Sequence, residues 1–154
     1  MELKRITKNE FAKYYDLLEK DFIFEERRTK ENELKCISNK YFNVCFIFSK
    51  ELNKNIGYFS YWDFDEFIFG EHFAIFEELR NKGYGIKFLT NFLLNGKPFI
   101  GEIEKPVDTI SKKRLKFYKN IGFQILDYKY FQPSYHNSND KIPMYIIGYN
   151  AQNL

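Results

Sequence analysis

Arg80-Asn81-Lys82-Gly83-Tyr84-Gly85 is the stretch of this sequence best suited to chemistry. A helix entered through glycines offers unpaired backbone N–H groups and the positive end of its dipole, which is what a phosphate or pyrophosphate requires. Gly83 and Gly85 let a ligand approach the main chain without a Cβ in the way, and Arg80 and Lys82 add cationic side chains at the same turn. The turn is not a P-loop, because no Lys-Ser or Lys-Thr follows the second glycine. It is not a dinucleotide fingerprint either, since it falls mid-chain after a hairpin instead of near the start of a repeated βαβ unit. Other chemistries find less support. Cys36 and Cys45 lack the CxxC spacing of a metal or redox site, so buried thiols in a reducing compartment are expected. His72 and His136 lie far apart without ligand-like neighbours, so no metal is expected.

The elements that must position this turn follow from apolar spacing. Leu3 and Ile6 read as a short strand, and Thr7-Lys8-Asn9-Glu10 reads as a capping box opening a helix with Phe11, Tyr14, Tyr15, Leu18 and Phe22 on one face. A second helix is expected over 29–38, with Leu34 and Ile37 as its sparse apolar face. The runs Val44 to Phe48 and Ile56 to Trp62 flank a polar turn and read as a hairpin of buried strands. A strand over 67–75 leads through the glycine turn into a helix carrying Tyr84, Phe88, Leu89, Phe92 and Leu93. A strand over 98–104, a helix over 108–121 stopped by Gly122, and closing strands over 123–131 and 142–149 around a polar loop at 133–141 complete the chain. The order βααβββαβαββ describes one mixed α/β domain spanning residues 1–154. With 44% hydrophobic residues, the chain has ample material for a core. The 24 basic and 21 acidic residues nearly balance, so no nucleic-acid partner is expected. The sequence has neither an apolar run of about 18 residues nor the long apolar stretch of a secretory signal, so a cytoplasmic protein without a membrane partner is expected.

Two segments carry a family resemblance. Glu71-His72-Phe73-Ala74-Ile75-Phe76-Glu77-Glu78-Leu79, continuing into the glycine turn, resembles the GNAT motif that joins the fourth strand to the cofactor-binding helix. Phe117-Tyr118-Lys119-Asn120-Ile121-Gly122-Phe123 resembles the second GNAT motif, one strand and one helix further on. Within the superfamily, Glu26-Arg27-Arg28, Glu71 to Ile75, Glu102-Ile103-Glu104-Lys105-Pro106 and Gln132-Pro133-Ser134-Tyr135 are similar to a bacterial subgroup. The resemblance implies a mixed, mostly antiparallel central sheet flanked by helices, and an acetyl-CoA-dependent N-acetyltransferase. Phe73, Ala74 and Ile75 would meet the pantetheine arm, chiefly through main-chain groups of Phe73 and Ile75. Amides of Asn81, Lys82, Gly83, Tyr84 and Gly85 would hold the pyrophosphate, with Arg80 on the phosphate side. Ser111 stands where the family often has Asn, and its smaller hydroxyl would make only part of that contact.

Amide formation from a thioester needs a neutral amine, and neutralising one of pKa about 10.4 at pH 7 costs about 4.6 kcal/mol. Glu71 and Glu102 are the candidate bases. Glu102 and Glu104 share one strand face while Ile103 points the other way. Tyr118 resembles the family's tyrosine at the departing thiolate. The acceptor is expected across the sheet, near Glu26, Arg28 and Tyr135. A small cationic amine is the preferred acceptor; a protein or peptide amine, or a non-catalytic acyl-CoA-binding module, are the alternatives.

Overall fold

The apolar runs become seven strands and the helical periodicities four α-helices in a computed structural model that describes residues 1–136, 138, 139 and 141–154. In chain order these are β1 (Glu2–Arg5), α1 (Phe11–Asp21), α2 (Lys30–Ile37), β2 (Phe42–Ser49), β3 (Lys54–Asp63) and β4 (Ile68–Ile75). Then come α3 (Tyr84–Phe92), β5 (Phe99–Glu104), α4 (Thr109–Ile121), β6 (Gln124–Gln132) and β7 (Ile142–Tyr149). Of the polar loop expected over 133–141, residues 137 and 140 lie outside the described residues.

One sheet of order β1-β2-β3-β4-β5-β7-β6 runs through the molecule, and only β4 and β5, joined through α3, pair in parallel. Strands β2 and β3 are apolar on both faces because both faces are covered. One core gathers Phe59, Ile75, Phe88, Phe99, Leu115 and Phe123 beneath α3 and α4. The other gathers Tyr14, Leu18, Phe42, Phe46 and Tyr58 beneath α1. Phe59 is 1% exposed and rings from β3, α3 and β5 surround it, so Phe59→Ala would cost about 3–5 kcal/mol.

Helix α2 departs from the sequence reading. Leu34, expected on its inner face, is 50% exposed, whereas Glu33 is 0% exposed. The cause is the helix start. The Thr29 hydroxyl accepts from the Asn32 N–H at 3.2 Å and fixes the rotation, and Arg28, immediately before it, supplies the charge that lets a carboxylate turn inward. No helix among the described residues is long and apolar enough to cross a membrane.

Candidate active site

The site is a failure of the sheet to stay closed. β4 and β5 pair only from Ile68–Phe99 to Gly70–Gly101, after which β5 follows β7 and the two strands part. Gly70 permits the close start of this fork, since a Cβ there would run into the Phe99 ring. A cleft of about 570 Å³ opens in the fork. The Phe76 N–H pairs with the Ile56 carbonyl on β3, so alternation turns the main-chain groups of Phe73 and Ile75 towards the gap. Phe73, Ala74 and Ile75 all line it.

The glycine turn closes one end of the cleft. Asn81 and Gly83 both have positive φ, 62° and 85°, and no side chain caps α3. The first bond of the helix runs from Lys87 N–H to the Gly83 carbonyl, which leaves the N–H groups of Tyr84, Gly85 and Ile86 without helical partners. Gly83 is required by its φ, because a Cβ there would meet open space. Gly85 instead forms part of the floor, with Ile75 and Phe117 each 3.5 Å from where its Cβ would stand.

Not every predicted residue reaches the cleft with a free group. Arg80 and Asn81 line it, but the Arg80 guanidinium donates to the Ile75 carbonyl at 2.8 Å and to Asp21 at 2.9 Å. It braces the end of β4 against α1. Lys82 is exposed and lies outside the lining. Ser111 is buried at the start of α4, where its hydroxyl accepts from Val107 and Asp108 N–H groups at 2.9 and 3.0 Å and lies 2.7 Å from the Asp108 carboxylate. That hydroxyl is spent on capping and stays out of the cleft lining. Tyr118 does line the cleft, held by the Phe117 and Phe123 rings, and burial pushes its hydroxyl up to about 12.

A second pocket of about 350 Å³ shares Phe69, Glu71, Glu102, Gln132 and Tyr135 with the cleft, so the two meet at the fork. A β-bulge between Ser60 and Tyr61 leaves Glu71 without a partner on β3. Consequently Glu71 and His72 both face α1 and α2, where strict alternation would have separated them. His72 is buried, with Nε2 2.8 Å from the Glu26 carbonyl and its ring against Phe22; burial holds its pKa below the usual value, and it ties the bulge to the α1–α2 loop.

Glu71 is spoken for. Arg28 donates to its two oxygens at 2.6 and 2.8 Å, and the Tyr135 hydroxyl donates to it at 3.2 Å. Its pKa is low because these bonds outweigh burial, although burial is the largest single influence. Arg28 also reaches Glu33 at 3.5 Å and lies 5.0 Å from the centre of the Tyr135 ring. Glu33 rises to about 7, mainly through burial and then through repulsion from Glu71.

Glu102 has the opposite environment. Burial raises its pKa against the polar contacts of Gln132 and Tyr130, and its Oε2, like Gln132 Oε1, is a buried acceptor without a donor. Glu26 lines the cleft, where burial first and Glu104 second raise its carboxyl. Glu104 itself pairs with Arg114. Sequence reasoning missed Glu33, Gln132 and Trp62, which line or support the second pocket. Gln132 stands in the Gln-Pro-x-Tyr element, which was the available signal. Among the described residues no group of three or more His, Cys, Asp or Glu side chains is placed to hold a metal ion.

The fold has counterparts among solved structures. A structure from Bacteroides thetaiotaomicron assigned to the GNAT family as an acetyltransferase is 34% identical, with a TM-score of 0.88 over 100% of this chain and 88% of that one. The chain belongs to the GNAT family, the acetyl-CoA-dependent N-acetyltransferases. Two more distant structures share the fold. A chimera of the Vibrio cholerae spermidine N-acetyltransferase SpeG with hSSAT is 11% identical, with a TM-score of 0.69 over 96% and 95% of the two chains. An aminoglycoside 6'-N-acetyltransferase complexed with coenzyme A is 13% identical, with a TM-score of 0.63 over 97% and 96%. No protein-family model matches the chain, and no curated protein matches it by sequence.

Proposed function

We propose that this chain acts as one domain, in the cytoplasm, transferring the acetyl group of acetyl-CoA directly to the primary amine of a small cationic molecule. In this reading acetyl-CoA is a substrate laid along the 570 Å³ cleft, with main-chain groups of Phe73 and Ile75 on its pantetheine arm and the α3 amides on its pyrophosphate. The amine comes from the second pocket. Its nitrogen attacks the thioester carbonyl, the C–S bond breaks, and the amine proton passes to Glu102 directly or through water. The Tyr118 hydroxyl donates a hydrogen bond to the departing sulfur.

The observation that carries this reading is the free Oε2 of Glu102 at the junction of the two pockets. A general base benefits from an unpaired acceptor atom and a raised pKa, and Glu102 has both. Glu71 has neither, because Arg28 occupies it from both sides. Its role is to hold Arg28 and Tyr135 in place. The preference for a small acceptor rests on the loop after β6. Tyr135 bonds Glu71, and His136 stacks on Phe24 at 3.7 Å, so the loop is pinned to the α1–α2 segment across the acceptor side. A polypeptide would have to displace it.

The test is a pair of isosteric variants assayed by CoA-thiol release. Glu102→Gln should lower kcat/KM for the amine about 100-fold, with acetyl-CoA affinity little changed. Glu71→Gln should lower thermal stability while the pH profile keeps its acid limb. Wild-type amine kinetics across pH in Glu102→Gln would remove Glu102 from the mechanism.

A further inference from the structure

We propose that the second pocket takes a monoamine, a single ammonium carried on an apolar or aryl body, and discriminates against polyamines and amino acids. This rests on the acetyltransferase reading above and names its acceptor class.

The charges set the number of ammonium groups. Among the described residues lining the pocket, Arg28, Glu71 and Glu102 are the ionisable acids and strong bases. Arg28 and Glu71 neutralise each other in a two-pronged ion pair, with Glu33 behind Arg28. That leaves one free carboxylate. Glu102 Oε2 and Gln132 Oε1 are both buried and lack donors, and an ammonium carries three N–H bonds with which to satisfy them. The second charge of a polyamine would find no free carboxylate among the described residues lining this pocket. Glu26 lines only the larger cleft, beside Glu104 and Arg114.

The walls set the body. Trp62, stacked on Phe64 at 6.0 Å, and Phe69, its cross-strand partner on β4, line the pocket together with Tyr130 and Tyr135. These rings offer π-faces to an apolar or aromatic group and no hydrogen-bond donors beyond the tyrosine hydroxyls and the indole N–H. An α-carboxylate on the acceptor would need a free cation. Among the described residues of the lining Arg28 is the only cation, and its charge is already compensated.

Trp62 is the sole tryptophan, so its fluorescence reports on this pocket directly. The experiment measures thiol release and Trp62 fluorescence with phenethylamine, spermidine, phenylalanine and a lysine-containing peptide, all with the full chain and acetyl-CoA or CoA. Phenethylamine should show a kcat/KM at least about tenfold above each of the others and should perturb the fluorescence at concentrations near its KM. In Phe69→Ala, checked for an unchanged circular dichroism spectrum, the phenethylamine KM should rise about tenfold. Thiol release with spermidine, phenylalanine or the peptide at equal or better kcat/KM would overturn the acceptor class and leave the enzyme reading intact. If none of the four released thiol, while acetyl-CoA still bound, the enzyme reading itself would fall.

Discussion

Tyr118 faces a demand that its surroundings make harder. A free thiol titrates near 8.5, so complete proton transfer from a tyrosine at about 12 is uphill by about 4.8 kcal/mol. Burial therefore keeps the hydroxyl protonated and makes it a hydrogen-bond donor to developing thiolate charge. A bond of that kind is worth about 1.5–3 kcal/mol. Tyr118→Phe should lower kcat about 10- to 100-fold. Acetyl-CoA affinity by calorimetry should stay within about twofold, because the ring still packs on Phe117 and Phe123. Unchanged kcat, measured where chemistry limits the rate, would exclude the hydroxyl. The same logic separates the two carboxylates. Types and spacing brought Glu71 and Glu102 to one fork, but which one is free depends on where Arg28 points, and no periodicity carries that.

At the scale of the element, the two glycines of the turn do different work. Gly83 holds φ at 85°, where any side chain is strained by about 1–2 kcal/mol, although its Cβ would touch nothing. Gly83→Ala should therefore lower Tm by about 2–6 °C in a chain of this size and weaken acetyl-CoA binding by tilting the amides. Gly85→Ala should be nearly neutral for stability, since its Cβ would make ordinary contacts 3.5 Å from Ile75 and Phe117. A branched Gly85→Val should keep the fold and lose acetyl-CoA. Thermal melts and titration calorimetry on all three variants check this. Equal melting temperatures for Gly83→Ala and the wild type would remove the conformational requirement. The element order was legible because strand and helix periods differ and Gly83 and Gly122 punctuate them. Two features were not. The bulge at Glu71 inserts one residue into a strand whose composition reads as regular, and the rotation of α2 depends on the Thr29 cap and on Arg28 more than on Leu34.

At the scale of the whole molecule, the buried Arg28–Glu33–Glu71 group couples folding to pH. Glu33 has an ordinary value near 4.5 and rises to about 7 in the fold, so the native state holds its proton after the unfolded chain has lost it. Between pH 4.5 and 7 this group makes stability fall as pH rises; its contribution is complete below 4.5 and absent above 7. Glu71, held low, contributes in the other sense, and loses its contribution only as pH falls through its depressed value. His72 also opposes Glu33. Kept neutral by burial, it costs stability as pH falls below 6.5, where the unfolded imidazole takes a proton. The wild-type melting curve is thus a sum of opposed slopes, and only a difference against a variant isolates Glu33. Glu33→Gln keeps an acceptor for Arg28 and removes the titration. At pH 8, where wild-type Glu33 is a buried anion beside Glu71, the variant should melt higher by on the order of 3 °C. At pH 5, where wild-type Glu33 is protonated in the fold, the two should melt within about 1 °C of each other. Scanning calorimetry at the two pH values decides it. A difference that is the same at pH 5 and pH 8 would show that Glu33 is ionised throughout, and Arg28 would then be balanced by two full negative charges.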